Sequence, residues 1–461
     1  MIKPLWTAEE ICAATHSSLC SIKSWKASGI AINSKEVQKG DLFIALKGEK
    51  VDSHNFLEEA FERGAVAAVV EYAPATNHSF VVVRQSREAI LDIGRAARNR
   101  LAGTIIGVTG SAGKTSTKDM LALCLKEHGK TFATKRSFNS TITAPLSLAS
   151  ADPTINYGVF EIGMNKPGEI AEITKIVRPH IGIITNIAPA HLQNFASVET
   201  IAQEKASLFL GLPSNGTAII PGDSAHAMQL KEIAQKTGVQ NILSFGESAH
   251  CDARLVKSFE EKGRFHHTVD ILGETCTFSM AMPGKHWAYN ALVCLLVAKL
   301  TNNSLQKTCK AIETYAPSER RGVAVPLKNN MLLVDESYNA NPLSMQMALE
   351  SFGLRSCSGK KVAVLGDMLE LGPDSPKLHA ALATTLKKAG VSVLITHGDL
   401  MQNLHNALKD DITSYHCKTL DGVEEKLFKT LQVGDAIMVK SSLGMGFIQI
   451  INALTQKFLG T

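Results

Sequence analysis

The chain has 461 residues, of which 45% are hydrophobic and 20% charged, which suits about three globular domains rather than a fibrous or disordered protein. Its 48 basic and 43 acidic residues leave a net charge of +5 without a basic run, which favours small anionic substrates and argues against a nucleic-acid surface. The sequence shows no apolar signal-peptide core and no run near the roughly 18 apolar residues of a membrane helix, so we expect a cytoplasmic protein. Its nine cysteines include no C-x-x-C pair, and we expect them to be reduced thiols.

The first unit, residues 1–84, alternates strand and helix signals. Buried-strand runs at 41–46 and 65–70 flank an amphipathic helical stretch at 54–63. This alternation predicts a small α/β domain. Three polar residues lie in or near its turns, where a lone polar residue is more often solvated than a ligand: Ser34, Lys35 and His54.

A glycine-rich stretch, Thr-Gly-Ser-Ala-Gly-Lys-Thr at 109–115, follows a β-branched strand signal at 104–106 and precedes a helical run at 118–125. Strand, glycine-rich turn, Lys-Thr and helix is the arrangement that cradles phosphates. The backbone N–H groups turn inward, Lys114 reaches the terminal phosphates, and the Thr115 hydroxyl can bind Mg²⁺. The alternative is a glycine-rich turn without a ligand, since Val108 stands where the first glycine of the common motif would be.

Two further polar groups end strands in the middle of the chain. Glu161 ends a strand at 159–163, and His191 follows a strand at 181–186. Ligands in open α/β sheets bind beyond the carboxyl ends of the strands, so both should converge with the phosphate loop. Thr115 and Glu161 supply the oxygen ligands that Mg²⁺ prefers. On residue type alone, His191 is more often structural, and Lys205, on a helix capped by Ser197, more often a surface lysine.

The third unit begins near residue 317 and again alternates strands with helical stretches, which predicts a second doubly wound sheet. Its strand ends carry three unusual segments, at 335–342, 366–372 and 440–446. We therefore predict an α/β protein of three domains. They are a small α/β N-terminal domain (1–84), a central P-loop parallel-sheet ATPase domain (85–316) and a C-terminal Rossmann-like doubly wound domain (317–461).

The order of these motifs resembles the Mur ligase family, the ATP-dependent amide-bond ligases of peptidoglycan precursor synthesis, over essentially the whole chain. The segments Asp-Glu-Ser-Tyr-Asn-Ala-Asn-Pro (335–342) and Gly-Asp-Met-Leu-Glu-Leu-Gly (366–372) are similar to the family branch that joins D-alanyl-D-alanine to UDP-N-acetylmuramoyl-tripeptide. The resemblance implies that reaction, through an acyl phosphate. It also implies ATP, two Mg²⁺ ions, CO₂ bound as a lysine carbamate, those two substrates, and neither nucleic acid nor membrane span; we expect a monomer.

The resemblance also implies roles for individual residues. The implied catalytic residues are Lys114, Lys205, His191 and Arg321. The implied ATP contacts are Gly110, Ser111, Ala112, Gly113, Lys114, Thr115, Ser116, Asn290, Arg321, Asp335, Tyr338 and Asn341. The implied metal ligands are Thr115, Glu161, His191 and Lys205 as its carbamate. The implied contacts of the UDP-linked substrate are Ser34, Lys35, His54 and Asn139.

Several positions at which the family would contact its substrates depart from the family's pattern. Lys35 replaces an arginine, Trp287 an asparagine, Glu336 an aspartate and Leu443 an arginine. Two other functions therefore stay open. The chain could be another Mur-type or folylpolyglutamate-synthase-like amide ligase, or a P-loop nucleotide-binding regulator that performs no ligation and needs neither Lys205 nor His191.

Overall fold

The computed structural model describes residues 4–17, 19–20, 24–48 and 51–459, with residues 19 and 20 described through their backbone alone. The N-terminal elements form a two-stranded ribbon, β1–β3, and a five-stranded sheet in the order β2-β7-β6-β5-β4. Its strands β4 to β7 run parallel, and β2 pairs antiparallel with β7. The elements are β1 (Trp6–Thr7), α1 (Ala8–Ala14), β2 (Leu19–Cys20), β3 (Lys26–Ala27), β4 (Gly29–Ala31), β5 (Asp41–Ile44), α2 (Leu57–Glu62), β6 (Ala67–Val70) and β7 (Phe80–Val82).

The central part is a nine-stranded sheet in the order β16-β15-β14-β13-β12-β11-β8-β10-β9. Strands β8 to β14 run parallel to one another. Strands β15 and β16 extend the sheet beyond β14 and pair antiparallel. The elements are α3 (Ser86–Arg100), β8 (Thr104–Thr109), α4 (Lys114–Lys126), β9 (Thr131–Ala133), α5 (Thr143–Ala149), β10 (Tyr157–Glu161), α6 (Glu169–Val177), β11 (Ile181–Ile184), α7 (Val198–Ala206), β12 (Thr217–Pro221), α8 (Ala227–Lys236), β13 (Asn241–Gly246), β14 (Ala253–Glu261), β15 (Arg264–Ile271), β16 (Glu274–Met280), α9 (Lys285–Leu300) and α10 (Leu305–Glu313).

The C-terminal part is a six-stranded sheet in the order β17-β18-β22-β19-β20-β21, parallel except for the antiparallel edge strand β17. The elements are β17 (Val323–Leu327), β18 (Met331–Glu336), α11 (Pro342–Gly353), β19 (Lys361–Gly366), α12 (Ser375–Ala380), α13 (Leu382–Lys388), β20 (Val393–His397), α14 (Met401–Leu408), β21 (Thr413–Cys417), α15 (Leu420–Thr430), β22 (Ala436–Lys440) and α16 (Ile448–Phe458).

Burial explains why these sequences form these elements. Strands β8, β10, β11 and β12 lie between helical layers and are buried over nearly their whole length, so they read as continuous apolar runs. Helix α9 is also buried through most of its length, because it packs under β13 to β15 and beside α4. The N-terminal ribbon joins the central part, since the Trp6 indole donates a 2.8 Å hydrogen bond to the Ala149 carbonyl.

The predicted α/β class, with a parallel central sheet and a doubly wound C-terminal sheet, is confirmed, whereas the domain limits stay a prediction. Two local expectations needed revision. The helix predicted at 54–63 begins as a short 3₁₀ turn, Ser53–Phe56, before α2. The expectation of reduced thiols throughout is wrong at Cys12, which is disulfide-bonded, because the fold can pair thiols without any local C-x-x-C motif.

Within the described residues, the structure holds no helix with the length and apolar character needed to traverse a bilayer.

Candidate active site

The phosphate loop runs from the end of β8 to the start of α4, as predicted. The two residues that follow β11 hold it in place through hydrogen bonds. The Asn186 amide accepts from the Ala112 N–H at 2.8 Å and donates to the Ala112 carbonyl at 3.0 Å. The Thr185 hydroxyl donates to the same carbonyl at 2.6 Å. Gly110, at φ +151°, leaves no room for a side chain, since a Cβ there would lie 1.9 Å from Thr185 Oγ1. Neighbouring parallel strands thus hold the loop in one shape.

Lys114 opens α4 behind Gly113, whose φ of +78° places it in the left-handed region. Its ammonium donates a 2.7 Å hydrogen bond to the Gly110 carbonyl, so the side chain folds back over the loop. Burial lowers the pKa of Lys114, the nearby Glu161 carboxylate opposes that shift, and the Arg321 guanidinium adds to it. An anionic phosphate bound over the loop would stabilise the charged form of this buried lysine.

Glu161, at the end of β10, is buried and fully engaged by hydrogen-bond donors. One carboxylate oxygen accepts from the Thr115 hydroxyl at 2.7 Å, and the other accepts from the Asn139 amide at 2.7 Å. The exposed fraction of Glu161 is only 1%, so this carboxylate is held in place rather than solvated. A buried carboxylate beside a threonine hydroxyl supplies the hard oxygen atoms that suit Mg²⁺. The predicted metal ligands Thr115 and Glu161 therefore lie together.

Lys205, on α7, is buried, with an exposed fraction of 2%. The carboxylate of its neighbour Glu204 accepts hydrogen bonds from the N–H groups of Gly168 and Ile170 at the start of α6, and its charge opposes the lowering of the Lys205 pKa only in part. The hydrogen-bond acceptor that Lys205 Nζ does meet is the Met164 sulfur, at 3.8 Å. Burial, assisted by the charge of Lys114, brings the pKa of Lys205 well below its ordinary value. A buried lysine so poorly partnered favours the neutral amine.

His191 follows β11 and has a φ of +56°, which is uncommon for a residue with a side chain. Its Nδ1 atom is hydrogen-bonded to the carboxylate of Glu370, in the loop that follows β19 of the C-terminal sheet. Burial lowers the pKa of His191, the Glu370 carboxylate counteracts that effect, and Lys114 reinforces it.

The C-terminal sheet brings an arginine and a tyrosine to the same centre. The Arg321 guanidinium lies 3.8 Å from the centre of the Tyr338 ring. Both side chains donate 2.9 Å hydrogen bonds to the hydroxyl of Ser137, which in turn lies 3.3 Å from Thr115 Oγ1. Ser137 therefore links the metal-ligand cluster of one sheet to the arginine of the other.

Three other predicted nucleotide contacts have structural partners. Asn341 caps α11 through its Oδ1 and donates from Nδ2 to the Ser111 carbonyl at 2.9 Å. The Asn290 amide accepts from the Thr117 hydroxyl at 3.0 Å. Asp335 is buried and accepts from the Ser337 N–H at 3.0 Å.

These groups surround a cleft of about 750 Å³ between the central and C-terminal sheets. That volume is within the range of small-molecule sites. Of the predicted site residues, those that line the cleft are Ser111, Ala112, Gly113, Lys114, Thr115, Ser116, Asn139, Glu161, His191, Asn290, Arg321, Tyr338 and Asn341. Gly110, Lys205 and Asp335 are not among the residues that line the cleft.

The predicted contacts of the UDP-linked substrate each have partners within the protein, and their part in binding stays a prediction. Both His54 ring nitrogens are already used, Nδ1 by the Asp52 carboxylate at 2.6 Å and Nε2 by the Glu71 N–H at 2.9 Å. Ser34 donates to the Glu59 carboxylate at 2.7 Å. Asn139 belongs to the Glu161 cluster. Lys35 is exposed on a 3₁₀ turn, Ser34–Glu36, that approaches the central part through an ion pair between Glu36 and Arg136 at 3.5 Å.

Four residues of the site were missed in the sequence: Ser137, Thr185, Asn186 and Glu370. Thr185 and Asn186 directly follow a buried parallel strand, a position that could have marked them. Glu370 lies within the unusual strand-end segment 366–372, but nothing there pointed to His191 as its partner, and Ser137 carries no comparable local signal.

Three family models match the chain in order. The Mur ligase family catalytic domain matches residues 26–102, the Mur ligase middle domain residues 108–298, and the Mur ligase glutamate ligase domain residues 320–443. The UDP-N-acetylmuramoyl-tripeptide–D-alanyl-D-alanine ligase of Bacillus subtilis is 30% identical over 438 residues, which cover 93% of each chain.

Solved structures agree with this assignment. The crystal structure of MurF from Acinetobacter baumannii has a TM-score of 0.87 at 27% identity, covering 98% of this chain and 99% of that chain. MurF from Thermotoga maritima, in complex with ADP, has a TM-score of 0.79 at 25% identity, covering 93% and 97%. Sequence motifs, fold and relatives therefore agree, and the chain belongs to the Mur ligase family.

Proposed function

We propose that this protein is an ATP-dependent ligase that joins D-alanyl-D-alanine to UDP-N-acetylmuramoyl-tripeptide. The observation that carries the proposal is the cleft in which a phosphate loop on one sheet faces Arg321 and Asn341 from the other. A simple nucleotide-binding module needs only the loop. A ligase must bring a nucleotide, a carboxylate and an amine together, and a cleft between two sheets suits that task. The named relatives act on these two substrates.

The reaction begins with activation of the tripeptide's terminal carboxylate. A carboxylate oxygen attacks the γ-phosphorus of ATP, the bond to ADP breaks, and an acyl phosphate forms. At 4 Å, each like-charge pair in this encounter costs about 4 kcal/mol at an effective dielectric of 20. Lys114 and Arg321 offset that repulsion and hold the charge that spreads over the transferring group.

The second step forms the amide bond. The amine of D-alanyl-D-alanine attacks the acyl carbon, inorganic phosphate leaves with the C–O bond electrons, and the nitrogen releases its proton. Water must be kept from the acyl phosphate until then. The contact of Asn341 with Ser111 and the cluster around Ser137 keep the C-terminal sheet over the loop while this happens.

Thr115 and Glu161 are the residues that would hold one Mg²⁺, with His191 and a carbamate of Lys205 for a second. When bound, such ions neutralise phosphate charge and orient the transferring group. The surroundings of Lys205 fit the carbamate, since its nitrogen is buried and meets a sulfur, and burial brings its pKa well below the ordinary value, toward the nucleophilic neutral amine. Condensation of that amine with CO₂ gives an anion and releases one proton.

Phosphate release is the test. With ATP, Mg²⁺ and UDP-N-acetylmuramoyl-tripeptide, we expect release to depend on D-alanyl-D-alanine and to match formation of the pentapeptide product. Release that requires a different amino acid, or folate and glutamate, would favour another amide ligase of this family. Release independent of every amine would favour the nucleotide-binding regulator. We further propose that the enzyme acts as a monomer in the cytoplasm, where nucleotide-linked precursors and ATP are available.

A further inference from the structure

A hydrogen bond joins two residues that are far apart in the sequence and lie in loops that follow strands of different sheets. His191 Nδ1 meets the Glu370 carboxylate, and the Glu370 carbonyl accepts a second hydrogen bond from the Gln193 N–H at 3.2 Å. Both His191 (φ +56°) and Glu370 (φ +65°) have left-handed backbone conformations that cost about 1–3 kcal/mol outside glycine. Two strained residues in mutual contact indicate that this local geometry is specified from both sides.

The loop that carries Glu370 is anchored firmly to the C-terminal sheet. The Asp367 carboxylate accepts from the N–H groups of Leu400 and Met401, at 3.2 and 2.8 Å. The Met368 N–H donates to Nε2 of buried His379 at 2.9 Å, and the Leu369 N–H donates to the Ser442 hydroxyl at 2.9 Å. Because each residue before Glu370 is pinned, the position of the Glu370 side chain follows the position of the whole C-terminal sheet.

The contact determines which nitrogen His191 offers to the cleft. A carboxylate accepts a hydrogen bond and cannot donate one, so a neutral imidazole facing it must carry its proton on Nδ1. Nε2 then keeps its lone pair and is the nitrogen left for a ligand. Carboxylates commonly fix the tautomer and orientation of ligating histidines in this way, and their loss costs about 10–100-fold in metal affinity or activity.

We infer that Glu370 is a positioning residue for the reaction, which arrives with the C-terminal sheet and fixes His191 as its Nδ1–H tautomer with Nε2 free. The ligand-ready form of His191 is thereby tied to the position of the C-terminal domain over the cleft. This inference rests on the proposed function, because it gives His191 a part in the reaction. An ordinary surface ion pair, worth about 0–1 kcal/mol, would have no such effect.

Nitrogen NMR on the metal-free, substrate-free protein tests the tautomer directly. The protein is labelled with ¹⁵N in its histidines and studied at mildly alkaline pH, and the His191 signals are identified by their loss in His191→Gln. We expect the Nδ1–H tautomer in the wild type and a shift toward the Nε2–H tautomer in Glu370→Ala. Asp374→Ala is the matched control, since it removes an exposed carboxylate from the same loop that makes no capping hydrogen bond. An unchanged tautomer in Glu370→Ala would overturn the inference.

Kinetics supply a second readout. In phosphate-release assays, we expect Glu370→Ala to raise the KM for Mg²⁺ by about tenfold or more. Glu370→Gln, whose amide oxygen still accepts from Nδ1–H, should fall between Glu370→Ala and the wild type, and Asp374→Ala should match the wild type. An unaltered KM for Mg²⁺ in Glu370→Ala would count against a positioning role. If the tautomer shifts as expected but no amine substrate supports turnover, the positioning contact stands and the proposed function fails.

Discussion

Replacement of Gly110 by alanine tests how tightly the phosphate loop is specified. The new Cβ would lie 1.9 Å from Thr185 Oγ1 and 3.1 Å from Thr185 Cβ, so the Thr185 side chain must move away. Its 2.6 Å hydrogen bond to the Ala112 carbonyl is then lost. Alanine at a φ of +151° costs about 1–3 kcal/mol, and the lost hydrogen bond about 1 kcal/mol more.

Together these two costs amount to roughly 2–4 kcal/mol. The binding free energy of ATP must offset them to restore the wild-type shape of the loop, so the Kd for ATP should rise by about 30-fold or more. Titration calorimetry measures this Kd, and thermal unfolding measures stability. Gly168→Ala is the matched control, since φ there is +91° but no heavy atom lies within 4 Å of the added Cβ. It should lower stability without changing the Kd.

The double variant Gly110→Ala/Thr185→Ala separates the steric contribution from the backbone strain. Removal of Thr185 Oγ1 takes away the closest clash, so the double variant should bind ATP more tightly than Gly110→Ala alone, and the two changes should be non-additive. A Kd for Gly110→Ala within about twofold of the wild type would refute the reasoning, because it would mean that the loop relaxes freely around the added methyl group.

Three further predictions concern other parts of the molecule. Lys205→Ala should abolish turnover, and small carboxylic acids should partly restore it by supplying the missing anion. Wild-type rates in the variant would exclude a role for the carbamate in the reaction. Arg321→Ala should reduce kcat by about 10³-fold, as expected for an arginine that stabilises transferring phosphate, whereas Arg320→Ala, whose side chain contacts Ser337, should leave far more activity. Burial lowers the pKa of His267 to about 4, and its two ring nitrogens have no hydrogen-bond partner. Below its ordinary pKa of 6.5 the unfolded chain binds a proton that the folded protein does not, so this contribution to stability is present above pH 6.5 and is lost as the pH falls toward 4. His267→Phe should flatten the fall in the urea midpoint over that window, while the same change at the less buried His266 serves as the control; equal acid sensitivity in wild type and His267→Phe would contradict the assignment.

The parts of the site that depend on local spacing could be predicted from the sequence. The phosphate loop needs only a strand, two glycines, Lys-Thr and a helix start, all within residues 104–126, and the structure has that arrangement. Glu161 was predictable because an acidic residue that ends a buried parallel strand must lie at the ligand-binding edge.

Contacts between distant segments could not be predicted in the same way. Ser137 meets Arg321 and Tyr338 because two separate sheets pack together, and neither its own residue type nor its neighbours indicate this. Glu370 lies 179 residues from His191, and its role depends on the docking of the C-terminal sheet. The partners of both His54 ring nitrogens, Asp52 and the Glu71 N–H, are likewise visible only in the fold, while the contact of His54 with the UDP-linked substrate stays a prediction.

The antiparallel extension of the central sheet was also missed. Strand β14 is exposed over its last six residues, so it lacks the apolar run or clean alternation that identifies a strand. Its pairing with β15 comes from a hairpin whose register is set by the turn at 262–263 and by packing of its inner end on α9.

Oxygen transfer from substrate to phosphate tests the central claim most directly. The tripeptide's terminal carboxylate is labelled with ¹⁸O, and the inorganic phosphate released during ligation to D-alanyl-D-alanine is analysed by mass spectrometry. An acyl phosphate requires one carboxylate oxygen to leave with phosphorus in every turnover, so we expect one ¹⁸O atom in each phosphate formed from a fully labelled carboxylate. Unlabelled phosphate accompanied by full ligation would contradict the proposed mechanism.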